Sequence, residues 1–145
     1  MSSVDNILAR MREQRKRTQE RLKDVGEEQM LEPTTYGERD VNVRFMFYRL
    51  IAHEIEHTVQ LAKTLEAIGV VQGEAQLILK NLQAARGELE GIMVGLKDDD
   101  LDREFANGEW SVRQVIDHIL KFEESYGANI STALNNSPTH GVSRT

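Results

Sequence analysis

The chain has 145 residues, enough for one domain with a sizeable core, and it carries a net charge of −6 on an ordinary composition, 39% hydrophobic and 29% charged. It contains no cysteine, which excludes disulfides, thiolate metal sites and a cysteine nucleophile, and only two prolines interrupt potential helices. No apolar run approaches the roughly 18 residues of a membrane span, no basic-then-apolar leader opens the chain, and the acidic balance argues against a nucleic-acid surface, so a soluble cytoplasmic protein is expected.

Apolar periodicity predicts four amphipathic helices. The first runs from Asp5 to Val25 on a thin stripe of Ile7, Leu8, Met11, Leu22 and Val25, interrupted by Arg15 and stopped by Gly26. Its cations, Arg10 to Lys23, are interleaved with Glu13, Glu20 and Asp24 and read as a solvated face. A polar connection, Glu27 to Arg39, follows without a strand signal. The second helix is expected from Asp40, as N-cap, to Ile68, with Gly69 as its breaker. The third spans Glu74 to Leu96, and an acidic loop from Lys97 to Trp110 leads on to the fourth. That helix opens on a capping box, Ser111 to Gln114, and continues beyond Ile130. After Asn135 a polar tail is expected to be disordered, leaving residues 1–135 as the domain and 136–145 outside it. YGERDVNVR (Tyr36 to Arg44) echoes NGEWSVR (Asn107 to Arg113), so each half repeats helix, polar loop, longer helix. The fold class is therefore all-α: a four-helix bundle of two similar helical hairpins.

Chemistry concentrates in the histidines. His53 and His57 lie at i, i+4 on the second helix, which projects both imidazoles from one face about 5–6 Å apart at Cβ. His118 lies on the fourth helix among Val115, Ile116, Ile119 and Phe122, and His140 falls in the tail. Three imidazoles on two helices make a facial set with open coordination positions, suited to Zn²⁺, Ni²⁺ or Fe²⁺ rather than Mg²⁺ or Ca²⁺. Two other readings stand beside it. The histidines are ordinary helix residues satisfied by carboxylates or water, or His53-Glu54-Ile55-Glu56-His57 is the HExxH string of a zinc protease with Glu54 as base. The latter lacks the downstream glycine and third histidine of a metzincin, since Gln60 and Lys63 occupy those positions.

The segment WSVRQVIDHILKFEESY resembles the signature helix of the DinB/YfiT-like superfamily of four-helix-bundle metalloproteins, with Trp110 and His118 matching it position for position. LIAHEIEHTVQLAKTLEAIG resembles the other signature helix, through His53, His57 and Gln60, although the two halves stand in exchanged order. The resemblance implies a divalent metal, zinc or nickel, held by His53, His57 and His118. It also implies activation of a small external thiol, as in thiol-dependent S-transferases, isomerases or hydrolases. Arg49, Gln60 and Gln114 share the ligand faces and are candidate pocket residues, Arg49 for a carboxylate of a thiol cofactor. Trp110 reads as a hydrophobic anchor of the helix start, and Glu54 and Glu56 as facing solvent or a dimer partner. The expected partners are a small-molecule substrate and a second copy of the chain, with neither nucleic acid nor membrane. A non-catalytic metal-binding or structural module is the alternative function, and the protease a distant third.

Overall fold

The computed structural model describes residues 2–104 and 106–136, and the tail expectation and His140 lie outside them. Helix α1 spans Ser3–Leu22 and starts earlier than expected because Ser2 and Asp5 form a reciprocal capping box. Ser2 Oγ accepts the Asp5 N–H at 3.1 Å while the Asp5 carboxylate accepts the Ser2 N–H at 3.0 Å.

The connection expected to lack strands is a small antiparallel hairpin, β1 (Pro33–Tyr36) and β2 (Arg39–Asn42), paired from Pro33↔Asn42 to Tyr36↔Arg39. A 3-10 turn at Gln29–Leu31 precedes it. Gly37 at φ 60, followed by a residue of negative φ, gives the type II′ geometry that closes a two-residue hairpin. Thr34, Thr35, Tyr36 and Val41 suit a pleated surface, but four-residue strands with no apolar alternation leave no period to detect. Pro33 is tolerated as the first residue of an edge strand.

Asp40 is consumed by this ladder, opposite Thr35, so helix α2 starts later than expected and spans Val43–Ala67. Asn42 is its N-cap, Oδ1 accepting the Phe45 N–H at 3.0 Å. Its end is a Schellman motif: Gly69 at φ 73 donates to the Glu66 carbonyl at 3.0 Å and Val70 to Leu65 at 2.9 Å. Helix α3 spans Glu74–Ile92, shorter than expected because the chain turns through Met93 and reaches Gly95 at φ 89. A 3-10 turn at Asp98–Asp100 leads to helix α4, Val112–Asn136. The capping box expected there is present: Gln114 Oε1 accepts the Ser111 N–H at 2.8 Å and Ser111 Oγ accepts the Gln114 N–H at 3.3 Å.

The internal repeat extends to backbone detail. In each half a 3-10 turn is followed by a carbonyl that accepts from the first turn of the long helix, Val43 N–H to Glu32 at 3.0 Å and Arg113 N–H to Leu101 at 2.9 Å. Gly37 and Gly108, equivalent in YGE and NGE, both have positive φ. Fixing the long helix to the turn before it leaves that helix one starting direction in each half.

The chain divides into two compact units, Met1–Gly95 and Leu96–Thr145. Within neither is any described hydrophobic side chain fully buried. In the first unit the opening turns of α2 (Val43, Phe45, Met46, Phe47) are half-buried against the hairpin and the preceding 3-10 turn, while Ile51, Ile55 and Val59 further along are exposed. The physical reason is local: short, polar elements cover one end of a 25-residue helix and leave the rest of its stripe bare. Ser111, the N-cap of α4, is buried at 6% exposure.

Candidate metal centre

Helix α2 brings His53 and His57 together as the spacing requires. Their rings meet edge to face with centroids 4.4 Å apart. His57 Nδ1 lies 2.7 Å from Gln60 Oε1. An amide oxygen only accepts, so Nδ1 is the donor in this contact, and the neutral ring then carries its lone pair on Nε2. Gln60, expected in the pocket, thus acts on His57 itself, one helical turn away.

Both imidazoles line a groove of ≈ 1300 Å³ between α1 and α2, with Ile7, Met11, Leu50 and Leu61 among its apolar walls. Arg49 shares the groove but is already engaged. Its guanidinium bonds both oxygens of Glu56, at 3.2 and 3.3 Å, and sits 5.7 Å over the Tyr36 ring. The hydrogen bond and then the charge of Glu56 raise the Arg49 pKa above its ordinary value. In return Arg49 lowers that of Glu56, helped less by His53 and His57. Glu54 pairs with Arg15 of α1 across the groove, so neither glutamate of the HExxH string faces solvent without a partner. The Tyr36–Arg49 contact was invisible in the sequence because it needs the hairpin; a tyrosine just before Gly37 was the available signal.

His118 belongs to the second unit, on α4. Its ring is flanked by Trp110, with centroids 4.8 Å apart, and by Phe122 at 4.4 Å. Gln114, the third candidate pocket residue, spends its amide oxygen on the Ser111 N–H. Arg113 holds Asp102 through two bonds of 2.6 and 3.0 Å, which lowers the Asp102 pKa. Among the described residues no three His, Cys, Asp or Glu side chains are gathered into one group that could hold a metal.

His53 and His57 are the two donors brought together, and neutral imidazoles suit a divalent transition ion. The imidazoles are exposed, one has its tautomer fixed by an outer partner, and His53 and His57 already share a face. Second-partner orientation of this kind accompanies metal-ligating histidines.

Comparison with known families places these features in context. The chain matches the DinB superfamily over residues 2–61 and 81–142, and it belongs to that superfamily. Among the described residues, four α-helices and one small hairpin give the all-α class of a DinB-like helical fold. The match covers α2 as far as Leu61 and all of α4, with His53, His57 and His118 inside the matched residues. No curated protein and no solved structure matches the chain. None of the described helices is long and apolar enough to cross a membrane.

Proposed function

We propose that this chain is a metal-dependent enzyme in which His53, His57 and His118 hold one divalent transition ion, zinc or nickel, and leave positions open for a small-molecule substrate. The observation that carries the reading is the His53–His57 pair, edge to face on one helix, with Gln60 directing the His57 Nε2 lone pair outward. A three-histidine ion with an open position supplies Lewis acidity, bringing the pKa of a bound water or thiol towards neutrality. The protein's own contribution is placement: α2 fixes two imidazoles, Gln60 fixes a tautomer, and the groove between α1 and α2 offers apolar walls for the substrate body.

A cysteine-free chain suits thiol-dependent S-transfer or hydrolysis, because the nucleophile comes from outside. A low-molecular-weight thiol is therefore the proposed co-substrate, and a homodimer the working form, its second copy covering exposed apolar faces such as that of α1. The HExxH protease reading is not favoured, since Glu54 is held by Arg15.

The test uses Co²⁺ in place of the native ion. The protein should take up about one Co²⁺ with the intense visible bands of low coordination number, and a small thiol should add a thiolate-to-cobalt band in the near ultraviolet. A cobalt spectrum indifferent to thiols would favour the structural module over the enzyme. Uptake unaffected by His118→Ala would remove the triad.

A further inference from the structure

Trp110 immediately precedes the N-cap of α4, where an indole can fold back over the first turns of the helix. It does so onto His118, the rings 4.8 Å apart and inclined by 56°. Phe122, one turn further along α4, meets the same imidazole at 4.4 Å and 46°. Both contacts are tilted, and together they place two aromatic rings against His118.

The same device occurs in the other half with different chemistry. Aligning Val43-Arg44 with Val112-Arg113 puts Arg49 and His118 at one repeat position. Arg49 is covered by the Tyr36 ring at 5.7 Å, as His118 is covered by Trp110. In each half an aromatic residue from ahead of the long helix sits on the side chain of its second turn. Where that side chain is arginine, the contact joins a cation to a π face; where it is histidine, the contact sets the plane of a potential ligand.

We infer that Trp110 is a positioning residue for His118: with Phe122 it holds the imidazole in the plane from which its lone pair is presented. The inference rests on the metal reading above, and it gives the tryptophan a role beyond anchoring the helix start. A ring left free to rotate costs ordering entropy when a ligand bond forms, and outer partners of ligating histidines are typically worth about 10- to 100-fold in metal affinity.

The chain has a single tryptophan, so its emission reports position 110 alone. Ni²⁺ added to the full-length protein should quench that emission with about one equivalent, and His118→Ala should abolish the quenching. Trp110→Leu should weaken Zn²⁺ binding about tenfold at unchanged far-ultraviolet circular dichroism, and Trp110→Phe should recover most of the loss. In the metal-free protein the His118 ring protons should be shifted upfield by ring currents, and Trp110→Leu should reduce the shift. Metal binding without tryptophan quenching, or equal affinity in Trp110→Leu and wild type, would overturn the positioning role alone. Failure of the wild type to bind Zn²⁺ or Ni²⁺ would overturn the metal reading and the role with it, and a surviving ring-current shift would show that the aromatic contact is real but structural.

Discussion

His57 and His118 lie on two long helices at different repeat positions and are held by different means. Gln60 grips the first through a 2.7 Å hydrogen bond to Nδ1, whereas Trp110 and Phe122 enclose the second with aromatic rings. The hydrogen bond selects a tautomer; the rings select only an orientation. Gln60→Ala should therefore lower metal affinity by about 10- to 100-fold without changing helix content, as measured by competition with a chromophoric chelator. Unchanged affinity would mean that the His57 tautomer is indifferent to Gln60. Arg49 shows how a candidate pocket residue can be committed elsewhere. Its spacing from His53 puts both on one helix face, but no pattern in the sequence singles out Glu56 and the Tyr36 ring as its partners. Those depend on the hairpin that brings Tyr36 over α2.

The elements were legible in proportion to their length and to the clarity of their end signals. The capping box of α4 and the glycine stop of α2 are written in consecutive residues, and both are present. The hairpin leaves no such signal, because each strand is four residues long, too short for a period-two pattern. The start of α2 shifted for the same reason, Asp40 being drawn into β2 and Asn42 taking over as cap. Ser111→Ala should cost about 1 kcal/mol in denaturant unfolding through loss of the cap. Asp102 offers a pH-dependent counterpart. Arg113 holds its pKa below the ordinary value, so the pair's contribution is present above the unfolded-state pKa and is lost as pH falls through the folded one. Asp102→Asn should thus be slightly less stable than wild type at neutral pH, with the difference closing in the acid range. The effect is small because both groups are solvent-exposed. A gap independent of pH would assign the loss to packing instead.

On the scale of the whole molecule, membership of the DinB superfamily and the all-α class were readable because two signature helices carry them. The burial of the apolar stripes was not readable. Periodicity reports that a face is apolar and says nothing of what covers it, and within each unit these faces are uncovered. The proposed homodimer would supply one covering surface, and sedimentation equilibrium should then give twice the chain mass; a monomer at all concentrations would contradict it. The repeat of turn, carbonyl tie and long helix explains how two such halves can each start a histidine-bearing helix in a defined direction, whatever their side-chain chemistry. The central claim, a three-histidine ion drawn from both halves, is tested most directly by the metal content of the purified, tag-free protein. About one equivalent of zinc or nickel per chain is expected, lost alike in His53→Ala, His57→Ala and His118→Ala and retained in His140→Ala. A wild-type protein that carries no metal even after exposure to Zn²⁺ or Ni²⁺ would contradict the account and return these histidines to a structural role.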